Sequence, residues 1–157
     1  MDAVILLIDD DEDLPLLLPH LLKKANVAFS FRVADNGERA VEYLRGAGAY
    51  ADRAAYPLPQ VLLLDLKMPR MNGFQFLEWK RTHPEFESLP VVVWSSSMFA
   101  EDKERALALG ANAYFDKSAN MDQLVGVFRR LEPYCLGRLV GIASESRSSM
   151  VGQTAQG

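Results

Sequence analysis

The sequence alternates short apolar runs with stretches in which apolar residues recur at helical spacing, and this alternation limits the fold more than any other feature. Apolar runs without polar alternation predict strands buried on both faces, as in a parallel sheet. Such runs are Val4–Ile8, Gln60–Leu64 and Val91–Trp94, and Ala113–Phe115 makes a further short strand. Phe29–Val33 alternates large apolar residues with smaller or polar ones, which predicts a strand nearer an edge. Because parallel strands need crossover connections, five strands alternating with five helices predict an α/β fold with a doubly wound parallel sheet.

The helical stripes include one from Met121 to Leu131, which predicts the last helix of this pattern. The first helix contains Pro19, which lacks an amide hydrogen and crowds the preceding turn. We therefore expect that helix to be kinked or to start late.

Composition favours one soluble domain. The chain has 157 residues, of which 49% are hydrophobic and 24% are charged, and its net charge of −4 gives no basic surplus for nucleic acid or a membrane surface. Cys135 is the one cysteine, and the start of the chain lacks the pattern of a signal peptide, so we expect a cytoplasmic protein. We expect residues 1–137 to form the domain and residues 138–157 to form a flexible tail.

Polar residues follow four of the five predicted strands. Asp9 and Asp10 follow the first, Asp65 follows the third, Ser95–Ser97 follow the fourth and Lys117 follows the fifth. Ligands of open parallel sheets bind outside the carboxyl ends of the strands, so these side chains should meet at one edge.

The chemistry of this set is consistent with phosphoryl transfer. Carboxylates brought together repel unless a cation compensates them, and a hard ion such as Mg²⁺ prefers oxygen ligands. A lysine suits phosphate oxygens, and hydroxyl groups can donate hydrogen bonds to them. A nucleophilic carboxylate, a metal, a lysine and a hydroxyl group are the parts needed to receive a phosphoryl group.

The chain resembles the receiver domains of bacterial two-component response regulators over about residues 3–132. The matching segments are Ile5–Asp10, Asp35–Ala40, Leu64–Pro69 with Met71–Gly73, Leu89–Ser95, and Gly110–Tyr114 with Lys117. The resemblance implies a flavodoxin-like (βα)5 fold with strand order 2-1-3-4-5.

The resemblance also implies a role for each matching residue. Asp65 would be the phosphoacceptor and would bind Mg²⁺ together with Asp10 and the backbone carbonyl of Lys67, while Asp9 would assist through water. Ser95 would be the switch hydroxyl, Tyr114 the switch aromatic residue, and Lys117 the phosphate-pairing lysine.

Within the family, the chain is most similar to single-domain regulators that work with phytochrome-type histidine kinases, through its long loop before Gln60, Pro90–Ser97 and Pro133–Leu136. The implied partner is a sensor histidine kinase. The implied output surface comprises the helix at Phe99–Leu109, the strand at Tyr114 and the last helix. Family behaviour implies either homodimers through that surface or a relay to another phosphotransfer protein, without turnover of an external substrate.

Other interpretations compete with a phosphorylation switch. The first acids could simply start a helix, and Ser95–Ser97 could form a strand-to-helix turn that caps the next helix. Whole-protein alternatives are an adaptor with the receiver fold that is not phosphorylated, an aspartate phosphatase, and a flavin-phosphate binder. Lys67 stands where a phosphatase places its second acid, and acids after the first strand would repel a flavin phosphate.

One position departs from the family pattern. Receivers commonly have proline after the phosphate-pairing lysine, often with a cis bond, whereas this chain has Ser118. A cis bond before a residue other than proline costs about 2.5–4 kcal/mol. We therefore expect a trans Lys117–Ser118 bond and a rerouted loop that still lets Lys117 reach Asp65.

Overall fold

The chain folds as a central sheet with helices on both faces. A computed structural model describes residues 3–24, 26, 29–97, 99–117, 122–123, 125–126, 128–130 and 132. The strands are β1 (Ala3–Ile8), β2 (Phe29–Ala34), β3 (Val61–Leu64), β4 (Val91–Ser95) and β5 (Ala113–Asp116). The helices are α1 (Leu14–Lys24), α2 (Gly37–Arg45), α3 (Gly73–Arg81) and α4 (Ala100–Ala108). The described residues between 122 and 132 are also helical, as predicted for the last helix.

The five strands form one parallel sheet in the order β2-β1-β3-β4-β5, which confirms the predicted fold class and strand order. Ile8 of β1 pairs in register with Leu64 of β3, so Asp9 and Asp65 leave neighbouring strands at the same level. Ser95 of β4 pairs with Asp116 of β5, directly before Lys117. The register therefore brings the four predicted polar positions to one edge.

Two apolar layers cover the sheet. One joins β1, β3 and β4 to α1 and Phe128, and the other lies against α2, α3 and α4. Every residue of β1, β3 and β4 is buried, which explains why these strands lack polar alternation. In the described part of the chain, no helix is both long enough and apolar enough to span a membrane.

Two glycines let the loops at the site edge pack closely. A Cβ at Gly73, the first residue of α3, would lie 2.5 Å from the backbone oxygen of Asp65. A Cβ at Gly37, the first residue of α2, would lie 2.6 Å from the backbone oxygen of Met71, which accepts a hydrogen bond from the Gly37 amide. Glycine therefore allows the loop after β3 to be held between two helix starts.

Of the two outcomes expected for α1, the late start was wrong and the kink at Pro19 stays a prediction. The helix begins at Leu14 and continues through Pro19 to Lys24. Buried Leu14, Leu18 and Leu22 hold it against the sheet, so tertiary packing offsets the proline's missing hydrogen bond. The predicted tail lies outside the described residues.

Candidate functional site

Three carboxylates meet at the carboxyl ends of β1 and β3. Oxygen atoms of Asp9, Asp10 and Asp65 lie within 4.8 Å of one another. Asp9 and Asp65 are buried, whereas Asp10 is exposed. Backbone hydrogen bonds fix both strand ends, since the Asp65 amide donates to Ile8 and the Asp9 amide donates to Ala34. The structure thus brings together the three acids that the sequence predicted.

Lys117 brings a positive charge to this cluster. Its Nζ lies 2.8 Å from Oδ2 of Asp9 and 3.5 Å from Oδ2 of Asp65. Its backbone amide donates to the carbonyl of Ser95, which ties the end of β5 to β4. Lys117 therefore reaches Asp65 as expected, although Ser118, and with it the predicted trans bond, lies outside the described residues.

Burial and neighbouring charges shift the pKa values of both Asp65 and Lys117. Burial, together with the nearby charge of Asp9, raises the pKa of Asp65, although Lys117 and the Lys67 amide oppose the shift. Burial alone would lower the pKa of Lys117, but the hydrogen bond to Asp9 and the charge of Asp65 outweigh it and raise that pKa. The ammonium group is thus held in its charged form beside carboxylates that repel each other.

The donor set fits a hard divalent cation. Three carboxylates lie close together and the ammonium group of Lys117 pairs with two of them, Asp9 and Asp65, which leaves an excess of negative charge at the edge. Such oxygen donors are those that Mg²⁺ or Mn²⁺ prefers. Exposed Asp10 leaves the cluster open to solvent, as an ion that keeps several waters requires. The Lys67 amide lies 3.4 Å from Oδ1 of Asp65 and so orients that carboxylate.

The other side of the site lies at the ends of β4 and β5, where uncharged groups are joined by hydrogen bonds. Ser95 is fully buried, and its Oγ accepts a hydrogen bond from the Ser97 amide at 3.3 Å. The Tyr114 hydroxyl donates to the carbonyl of Ser97 at 3.1 Å. Burial raises the pKa of Tyr114 and the hydrogen bond to Ser97 opposes that shift. The predicted switch residues Ser95 and Tyr114 therefore both contact Ser97.

Sequence reasoning assigned Ser97 no role beyond a turn or a helix cap. Its Oγ does accept a bond from the Phe99 amide at 3.4 Å just before α4, which agrees with the interpretation as a turn. The capping interpretation was wrong, because Phe99 is the N-cap of α4 and no side chain caps that helix. The same Oγ also donates to the carboxylate of Asp102, a contact that was missed. The available signal was a serine five residues before an acid in the first turn of a predicted helix. Ser96, for which the same turn or cap was expected, is exposed.

Trp94 also contacts the site. Nζ of Lys117 lies 5.9 Å from the centre of its indole ring, at the outer range of a cation–π interaction. Trp94 also belongs to the core layer beside α1.

A comparison with protein-family models shows the family of this chain. The model of the response regulator receiver domain matches residues 5–129, most of the chain. The chain is a response regulator receiver. The expected family is therefore confirmed, and receivers of this family are signalling proteins, which leaves the phosphatase and flavin-binding alternatives without support.

Relatives of this receiver include phytochrome response regulators. Response regulator Rcp1 of Synechocystis is 29% identical over 85% of this chain and 88% of its own length, and a structure of Rcp1 is Mn²⁺-bound. The phosphorylated cyanobacterial phytochrome response regulator RcpA is 30% identical, with a TM-score of 0.72 over 88% of this chain and 96% of its own. A response regulator in red-light signalling of R. palustris is 31% identical, with a TM-score of 0.73 over 82% and 90%.

Proposed function

We propose that this receiver accepts a phosphoryl group from a sensor histidine kinase onto Asp65 and changes its protein contacts in response. The observation that carries the proposal is the placement of buried Asp65 within 3.5 Å of the Lys117 ammonium group and beside two further acids. The metal-bound and phosphorylated states named for the relatives support it.

The transfer needs a nucleophile, charge neutralisation and orientation. A carboxylate oxygen of Asp65 would attack the phosphorus of a phosphohistidine, forming a P–O bond as the P–N bond breaks and the imidazole leaves with its electron pair. Lys117 would hold the phosphoryl oxygens by charge, and Ser95 would donate a hydrogen bond to one of them. The raised pKa of Asp65 makes a neighbouring cation favourable for keeping the nucleophile ionised.

We assign the metal site to Asp10, Asp65 and the backbone carbonyl of Lys67, with Asp9 assisting through water, and we propose Mg²⁺ as its ion. Bound there, Mg²⁺ would neutralise negative charge on the carboxylates and on the incoming phosphoryl group. The proximity of the three carboxylates supports this assignment, and the exposed carboxylate of Asp10 gives the ion access.

The output surface that we propose comprises α4, β5 and the last helix. Tyr114 of β5 and the start of α4 both connect to Ser97, next to the switch hydroxyl of Ser95. That surface would carry either a homodimer contact or a contact with a downstream phosphotransfer protein. Relatives named as phytochrome regulators support a bacteriophytochrome as the kinase. We further propose a cytoplasmic protein whose receiver domain is residues 1–137, followed by a tail at 138–157.

The phosphorylation-independent adaptor is less well supported. An adaptor would have no need to hold a charged lysine against the acceptor carboxylate. Nζ of Lys117 instead lies close to both Asp9 and Asp65.

Labelling with a small phosphodonor such as acetyl phosphate and Mg²⁺ tests the proposal. Wild type should gain one acid-stable, base-labile phosphoryl group, detected by intact mass, and Asp65→Asn should gain none because the nucleophilic oxygen is lost. Asp13→Asn is the matched control, since Asp13 is exposed and lies outside the carboxylate cluster. Full labelling of Asp65→Asn would overturn the assignment.

A further inference from the structure

Ser97 makes hydrogen bonds through its amide, its carbonyl and its side chain, each to a different element of the switch. Its amide donates to Oγ of Ser95, and its carbonyl accepts from the hydroxyl of Tyr114. Its Oγ donates to the carboxylate of Asp102. One residue therefore touches the switch hydroxyl, the switch aromatic residue and α4.

The third bond reaches into the helix itself. Asp102 lies in the first turn of α4 and is half-buried, and Ser97 is 3% exposed, so the bond is protected from water. The amides of Asp102 and Lys103 both donate to the carbonyl of Phe99. A shift of the Ser97 side chain would therefore move the whole first turn of α4.

Phosphorylation would act on this arrangement through Ser95. A hydroxyl group that turns its hydrogen toward a phosphoryl oxygen on Asp65 changes the direction of its lone pairs. The Ser97 amide bonds to those lone pairs at 3.3 Å, a length with little margin before the bond is lost. A rearrangement at Ser95 would thus displace the Ser97 backbone.

We propose that Ser97 is the positioning residue that transmits phosphorylation from Ser95 to α4, and that the Ser97–Asp102 hydrogen bond is the link that carries it. The inference rests on the proposed function, because it needs a phosphoryl group on Asp65. Backbone bonds would carry the response to Tyr114 separately. Removing the Ser97 hydroxyl should therefore disconnect α4 and leave Tyr114 connected.

Hydrogen exchange of backbone amides, with and without acetyl phosphate and Mg²⁺, tests the link. The variants are Ser97→Ala and Asp102→Ala, which each remove the bond, and Asp102→Asn, whose amide oxygen can still accept from the Ser97 hydroxyl. Ser96→Ala is the control, because Ser96 is exposed and adjacent. Intact mass reports in every sample whether Asp65 is labelled.

In wild type, phosphorylation should change the exchange of the amides of residues 99–103 by about fivefold, the factor expected for one net hydrogen bond. Ser97→Ala and Asp102→Ala should lose most of this change while the amide at position 97 still responds. Asp102→Asn and Ser96→Ala should keep the change. A purely structural role would instead raise exchange equally in both states.

Two results would overturn the inference. One is a full response of α4 in labelled Ser97→Ala, and the other is labelled wild type without any response in α4. Wild type that is not labelled at all would instead overturn the proposed function, and the inference with it.

Discussion

The two sides of the site satisfy their polar groups in different ways. The acid side, formed by Asp9, Asp10 and Asp65, brings like charges together, and burial with the charge of Asp9 raises the pKa of Asp65. The switch side satisfies its amide, carbonyl and hydroxyl groups with hydrogen bonds among Ser95, Ser97 and Tyr114.

This difference indicates how a phosphoryl signal would pass between the two sides. The acid side has unbalanced charge, so an added cation or phosphoryl group changes its free energy strongly. The polar groups of the switch side already have hydrogen-bond partners. That side can therefore respond only by exchanging one hydrogen bond for another of similar free energy. Variants on the acid side should therefore have larger effects than variants on the switch side.

The loss of labelling in Asp65→Asn is the largest effect that we expect, and the next largest is a loss of Mg²⁺ affinity. Asp10→Ala should weaken Mg²⁺ binding by about tenfold or more, because it removes a charged oxygen ligand. Ser95→Ala should leave Mg²⁺ affinity nearly unchanged, since the hydroxyl belongs to the switch side. Titration followed by calorimetry measures both, with Asp13→Ala as the control. Wild-type affinity in Asp10→Ala would show that the ligand assignment is wrong.

The third effect concerns stability without metal. The folded-state pKa of Asp65 lies above its ordinary value, so this group's contribution to stability is present below that ordinary value and is lost as pH rises through the folded pKa. At pH 7 without Mg²⁺, Asp65→Asn should therefore be more stable than wild type. Each kcal/mol gained would raise Tm by about 2–4 °C.

Thermal unfolding at several pH values checks this prediction. The advantage of Asp65→Asn should shrink as pH falls toward the ordinary pKa of an aspartate, and Mg²⁺ should stabilise wild type more than the variant. A lower Tm for Asp65→Asn at pH 7 would mean that the attraction of Lys117 exceeds the cost of burial and of Asp9.

The fold and the acid side could be predicted because they depend on simple rules. Uninterrupted apolar runs predicted buried parallel strands, and the rule that ligands bind at the carboxyl ends of strands brought Asp9, Asp65 and Lys117 together. The resemblance supplied the expected roles of Ser95 and Tyr114.

The contacts of Ser97 and Asp102 could not be predicted in the same way. They depend on the path of the loop between β4 and α4, which no sequence period determines. The resemblance placed Asp9 next to the metal through water, and it did not predict that the Asp9 carboxylate pairs with Lys117 at 2.8 Å. Side-chain partners in a loop depend on the whole fold, and this is the part that local pattern leaves open.

A smaller effect is expected for the hydroxyl of Tyr114. Tyr114→Phe removes its bond to the Ser97 carbonyl and should lower the free energy of unfolding by about 1 kcal/mol, without changing Mg²⁺ affinity. Tyr43→Phe is the matched control, because it removes a hydroxyl bond to the Pro57 carbonyl on another part of the chain. Urea unfolding gives both values. A change in Mg²⁺ affinity in Tyr114→Phe alone would show that the two sides are coupled even before phosphorylation.

The smallest effect concerns the contact between the two sides, where the indole of Trp94 lies under the ammonium group of Lys117. A cation–π interaction at this distance is worth about 0.5–1 kcal/mol, and a phenyl ring provides less of it than an indole. A double-mutant cycle of Trp94→Phe and Lys117→Ala in urea unfolding isolates the pair from the packing lost in each single variant. We expect a favourable coupling within that range, and the same cycle with Trp79→Phe, on α3, should show none. Additive losses at Trp94 and Lys117 would mean that the ring only fills the core and that Asp9 and Asp65 position the lysine without it.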